Sequence, residues 1–130
     1  MVVDPSVLVA IVLAEADAEA LLGHLREADE ALSLSAAGWL EATMVVEARQ
    51  GPDAARDLQL LIDGLVISVV AVDDAVALSA ATAWRRFGKG HHPAALNFGD
   101  CMSYGLARTR GEALAYKGND FVQTDITAAW

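Results

Sequence analysis

The chain has 130 residues, the length of one domain, and 55% of them are hydrophobic, chiefly Ala, Val and Leu. Its net charge of −9 argues against a uniformly basic surface, and one cysteine leaves no internal disulfide, which suits a reducing cytoplasm. The most apolar early stretch, "VLVAIVLA", is too short for a membrane span and runs into Glu15, Asp17 and Glu19; the start lacks the basic region of a signal peptide.

In chain order, "MVV" reads as a short buried strand closed by Asp4-Pro5, with Asp4 as a helix N-cap and Pro5 in the first turn. "SVLVAIVLAE" and "DAEALLGHLREA" read as helices, the second turning Ala20, Leu21, Leu25 and Ala28 inward. "ALSLS", residues 31–35, alternates as a strand does. "AAGWLEATMVVEARQG" is a helix stopped at Gly51, and "PDAARDLQLLIDGL" a helix opened by proline, with Leu58, Leu61 and Ile62 inward. "VISVVAV", residues 66–72, is a β-branched strand, and Asp73 and Asp74 open the helix "DAVALSAATAWRRFG". After the loop "KGHHPAALNFG", a helix runs from about Asp100 to Arg110; then "ALAY" reads as a strand, "KGND" as a turn, "FVQTD" as a short helical turn or loop, and "ITAAW" as a last strand. Strands separated by helices predict parallel pairing through crossovers, hence an α/β fold.

In open α/β sheets, ligands bind beyond the carboxyl ends of the strands. Asp4 directly follows the first strand, Glu41 lies in the first turns of the helix after the second, Asp100 opens a helix, and Asp120 follows the "ALAY" strand. Each has an ordinary structural reading: Asp4 and Asp100 as helix caps, Glu41 as an exposed helix residue, Asp120 as a turn residue. Four carboxylates meeting at one rim would repel one another and lose hydration, and a divalent cation removes that conflict. Oxygen donors alone suit Mg²⁺ or Mn²⁺; no His/Cys spacing suggests zinc, because His91 and His92 are adjacent, His24 is distant and Cys101, read as a small buried residue, stands alone.

Charge is unevenly spread along the chain. Residues 1–84 carry 14 acidic and 3 basic side chains, whereas residues 85–130 carry 4 acidic and 6 basic ones. Arg85, Arg86, Lys89 and Lys117, in that basic third, are candidates for phosphate contacts; for the first three, a helix C-terminus favouring cations explains them equally well. His91 and His92 read as loop residues, and Trp39, Trp84 and Trp130 as core or interface.

The segments "MVVDPSVLVAIVLAE", "GWLEATMVV", "RRFGKGHHPAALNFGDCMSYGLA" and "YKGNDFVQTDI" together resemble the PIN-domain ribonucleases, specifically VapC-type toxins of bacterial toxin–antitoxin operons, from Met1 to about Ile126. The resemblance implies a three-layer α/β/α fold with a mainly parallel sheet of four to five strands. It implies four acidic positions holding Mg²⁺ or Mn²⁺, here Asp4, Glu41, Asp100 and Asp120, with Asp4 and Asp100 as the direct ligands. Asp125 matches a further, secondary acidic position, with Thr124 beside it; Ser6 and Ser103 are candidate hydrogen bonders behind the ligands. The implied reaction is hydrolysis of an RNA phosphodiester to a 3′-hydroxyl and a 5′-phosphate. The implied partners are a VapB-like antitoxin and a second copy of the chain, for which the apolar helices "VLVAIVLA", "LLGHL" and "LQLLIDGL" offer surface. The alternatives are a catalytically silent PIN-like interaction module, against which four intact acids argue, and a phosphoaspartate receiver, against which Ser6 argues because a second aspartate is expected there.

Overall fold

The computed structural model describes residues 1–130. In chain order its elements are β1 (Val2–Val3), α1 (Pro5–Val12), α2 (Ala18–Glu27), β2 (Ser33–Ser35), α3 (Ala36–Gln50), α4 (Pro52–Gly64), β3 (Ser68–Val70), α5 (Asp74–Phe87), α6 (Phe98–Arg110) and β4 (Leu114–Ala115). The four strands form one parallel sheet in the order β3-β2-β1-β4. Parallel strands alternate their side chains between two covered faces. Val3 and Ala115 therefore join one core with α1 to α4, while Val2 and Leu114 join the other with α5 and α6. This is the expected α/β/α layering, with four strands.

The strands are shorter than the sequence suggests. "ALSLS" contributes only Ser33–Ser35, and all three residues are buried because helices cover both faces. The β-branched run 66–72 contributes only Ser68–Val70, on the sheet edge and largely exposed. Its first residue instead closes α4: Val66 adopts φ 54°, its N–H donates to Asp63 O, and the Ile67 N–H donates to Ile62 O. "ITAAW" makes one isolated bridge, Leu114 to Ala128, rather than a fifth strand. Helix α1 stops at Val12, short of the predicted Glu15, and Ala20 of α2 faces solvent.

The apolar helices are mostly interior. Val7, Leu8 and Ala10 of α1, Leu21 and Leu25 of α2, and Leu58 and Ile62 of α4 are all buried in the first core. Part of the expected partner surface stays open: Val9, Ile11, Val12 and Leu13 are only partly buried, and Leu60 of "LQLLIDGL" is exposed. Further large exposed apolar side chains include Leu40 and Met44 on α3, Leu78 and Trp84 on α5, and Phe98 at the start of α6. No helix is long and apolar enough to cross a membrane.

The sheet order reverses direction at β1, which lies between β2 on one side and β4 on the other. Such a switch point leaves a crevice at the carboxyl edge of the strands, and Asp4 is the residue that follows β1. Its own N–H is fixed to Ala115 O at 2.8 Å, locking it against β4.

Candidate active site

Asp4 is the N-cap of α1: its Oδ1 accepts the Ser6 N–H at 2.9 Å, and Pro5 fills the first helical position, where no N–H is missed. Only 5% of the residue is exposed. Burial pushes its carboxyl above the ordinary value; the hydroxyls of Ser103 and Ser6 and the Ser6 N–H pull it back down, and Asp120 pushes it up again through charge repulsion. Ser103, fully buried on α6, and Ser6, whose Oγ also accepts the Lys117 N–H at 3.0 Å, thus both stand behind Asp4.

Glu41 sits in the second turn of α3, a helix that starts directly from β2 with Ser35 as its cap; Ser35 Oγ accepts the Gly38 N–H at 2.9 Å. The Glu41 carboxyl is also raised, first by burial and then by Asp4. Asp100 lies at the third position of α6 in a capping box with Asn97: the Asn97 N–H donates to Asp100 Oδ2 at 2.8 Å and the Asp100 N–H donates to Asn97 Oδ1 at 2.9 Å. Its pKa is lifted to about 7. Burial is the main cause, the Asn97 N–H opposes it, and Asp4, Asp120 and Glu41 each add repulsion. Asp120, exposed in the turn after β4, completes the group.

Four carboxylates from four separate segments are therefore in mutual electrostatic reach. No three of them already close into a coordination shell. A hard cation such as Mg²⁺ keeps several waters and takes one or two protein carboxylates. The donors are oxygens only. Cys101 offers no competing nucleophile, since burial and the neighbouring Asp100 push its thiol to about 11.

The remaining predicted residues fall elsewhere or have other partners. Asp125 stands apart from the four acids: Tyr104 Oη donates to its Oδ1 at 2.6 Å and Arg86 Nη1 pairs with its Oδ2 at 2.9 Å. The Tyr104 hydrogen bond, then the Arg86 contact, hold its carboxyl below the ordinary value despite some burial. Thr124 Oγ1 donates to Phe121 O and caps the same turn. Lys117 Nζ is shared between Glu15 and Asp17, the latter at 2.6 Å. Arg86 is further engaged over the Phe87 ring, 4.6 Å from its centre. Arg85 and Lys89 are exposed and form no ion pair. His91 and His92 pack edge-on against Trp84 and Phe87, as loop residues do.

Gly99, expected at the end of the loop before α6, lies inside that helix and borders the site. Gly99 lies in helical backbone, yet a Cβ there would overlap the Glu41 carboxylate, with Cδ at 2.7 Å. No local sequence feature signals this contact, because its partner belongs to another helix.

Comparison with known proteins identifies the family. The model of the PIN domain family matches residues 1–126. A ribonuclease VapC of Mycolicibacterium smegmatis is 44% identical over 128 residues, covering 98% of both chains. Ribonuclease VapC30 of Mycobacterium tuberculosis is 45% identical, over 97% of this chain and 95% of that one. The crystal structure of M. tuberculosis VapC20, described as a sarcin–ricin loop cleaving toxin, superposes with a TM-score of 0.80 over 97% of this chain and 95% of that one; at 18% identity it attests the fold alone. The chain belongs to the PIN domain family, among the VapC ribonucleases.

Proposed function

We propose that this chain is a divalent-cation-dependent endoribonuclease toxin, held inactive by a VapB-like antitoxin. The observation that carries the reading is the gathering of Asp4, Glu41, Asp100 and Asp120 at the switch point of the sheet, where three of the four have raised pKa values. Acids so placed destabilise a bare protein, which is what a site built for a cation does.

Asp4 and Asp100 are the proposed direct ligands of Mg²⁺ or Mn²⁺. Asp4 is the deepest of the four, and Asp100 keeps Oδ1 free while Oδ2 holds Asn97. When bound, such an ion neutralises charge on the scissile phosphate and acidifies a water. Glu41, half-buried and raised in pKa, would accept the proton of the attacking water. Asp120, exposed at the rim, orients that water or supports a second ion. Ser6 and Ser103 fix the Asp4 carboxylate by hydrogen bonding. Hydrolysis by this route requires no side-chain nucleophile and leaves a 3′-hydroxyl and a 5′-phosphate.

RNA phosphates are proposed to meet Arg85 and Lys89, the two cations of the predicted set without a carboxylate partner. Arg86 and Lys117 reach RNA only by leaving Asp125 and the Glu15–Asp17 pair, so their contribution is smaller. The antitoxin and a second copy of the chain are the proposed protein partners, and the cytoplasm is the proposed location.

The test is expression with and without the product of the neighbouring gene, alongside cleavage of RNA by the purified chain in Mg²⁺, Mn²⁺ or EDTA. Growth arrest relieved by the neighbour, with cleavage lost in EDTA, is the expected result. Cleavage that persists in EDTA contradicts the cation requirement, and absence of cleavage in every condition contradicts the enzyme.

A further inference from the structure

Gly99 is the second residue of α6, between Phe98 and the site acid Asp100. Glycine here costs helix stability relative to alanine. Its backbone does not need glycine, since it is not among the residues with positive φ. Nor is it set against a rigid wall of backbone, as Gly105 is, where a Cβ would come within 2.7 Å of Val76 O on α5. The three atoms nearest a Cβ at Gly99 all belong to the Glu41 carboxylate: Oε2, which it would overlap, Cδ at 2.7 Å and Oε1 at 3.0 Å. The missing side chain leaves the space in which one carboxylate lies.

Resting on the proposed function above, we infer that Gly99 is a positioning residue for the reaction: its bare Cα lets the Glu41 carboxylate lie against the first turn of α6, beside Asp100. The clash an alanine would create involves only the far end of a flexible side chain. Glu41 escapes it by turning about its own bonds, leaving α3 and α6 where they are. The consequence separates folding from function. A methyl group at this position removes a carboxylate from the site without opening the core, and it adds helix propensity. Glycine at the helix entry is thus kept against its conformational cost by a contact from another helix.

A double-mutant cycle on the full chain tests this, with three readouts: thermal midpoint, affinity for Mn²⁺ alone by calorimetry, and RNA cleavage. Gly99→Ala is expected to melt at or above the wild-type temperature, yet to bind Mn²⁺ about tenfold more weakly and to cleave at least about tenfold more slowly, the scale on which displaced supporting groups act at metal sites. Glu41→Ala is expected to show losses of the same order. In the Glu41→Ala background, Gly99→Ala is expected to change neither affinity nor rate further, because the group it displaces is gone. Wild-type affinity and rate in Gly99→Ala overturn the inference, as do losses that multiply in the double variant. A wild-type chain that neither cleaves RNA nor binds Mn²⁺ is a different failure: it overturns the functional reading, and the positioning role with it.

Discussion

Asp100 and Asn97 hydrogen-bond each other reciprocally, at 2.8 and 2.9 Å, and only one oxygen of the Asp100 carboxylate is taken up in doing so. The cap and the site are therefore not competing roles for this residue. Oδ2 terminates the helix, and the carboxylate as a whole still feels Asp4, Asp120 and Glu41. The cap has a chemical consequence. The Asn97 N–H that it supplies draws the Asp100 pKa down, against burial first and then Asp4, Asp120 and Glu41, which together lift it to about 7.

Amide substitution should separate stability from activity. Asp4→Asn and Asp100→Asn remove a repelling charge while keeping an acceptor oxygen, for the α1 cap at Asp4 and for the Asn97 N–H at Asp100. Each is expected to raise the thermal midpoint in EDTA rather than lower it. Calorimetric scans of the two variants beside wild type check this, and a lower midpoint for both would show that the carboxylates stabilise the bare fold.

Stability should fall as pH rises through neutrality when divalent ions are chelated. Asp4, Glu41 and Asp100 are all raised, so their contribution is complete below the ordinary carboxylate value and is lost as pH climbs through the folded values, about 7 for Asp100. Asp17, Glu112 and Asp125 are lowered and act the other way, but their stabilisation is lost only at acid pH below the ordinary value. Between pH 5 and 8 the raised group dominates. Because Asp100 is partly screened by solvent, the expected drop in midpoint is modest, about 5 °C. Mg²⁺ is expected to raise the midpoint most at pH 8, where the acids are ionised, and its binding at pH 6 to release protons. Thermal scans across pH with and without Mg²⁺ decide it.

Tyr104→Phe should loosen the C-terminal segment. The phenol donates a 2.6 Å bond to Asp125, which Arg86 also holds, tying the segment after β4 to α5 and α6. Losing a hydrogen bond to a charged but exposed acceptor is expected to cost about 1 kcal/mol, with the Asp125 pKa moving back toward the ordinary carboxylate value. Denaturant titration and a carboxylate NMR titration measure both effects.

Val66→Gly should stabilise the chain. Val66 holds φ 54° at the end of α4 and is 80% exposed, so it carries backbone strain and offers little packing in return. A gain of up to about 1 kcal/mol in chemical denaturation is expected, the scale of the left-handed penalty for a side chain.

The acids were legible in the sequence because each stands at a punctuated boundary: Asp4 before proline, Asp100 after Asn97 and Gly99, Asp120 in "GND". Strand-end placement follows from such signals, and a parallel sheet brings strand ends to one edge. The layers were legible from the alternation of strands and helices for the same reason. Long-range partners were not. Arg86 and Asp125 lie 39 residues apart, and Lys117 and Asp17 lie 100 apart, and nothing in the local chain marks either pairing. Val66 shows the other limit. Its β-branched run suggests a longer strand, yet it ends a helix, since strand propensity measures fit to a pleated surface and the helix terminus claimed the residue first.

The most direct measurement is RNA cleavage by wild type, Asp4→Asn and Asp100→Asn across a Mn²⁺ titration. A loss of at least about 100-fold in both variants, with the folded state retained, is expected if these two acids hold the ion. Wild-type cleavage rates in either variant at limiting Mn²⁺ would contradict a site built on Asp4 and Asp100.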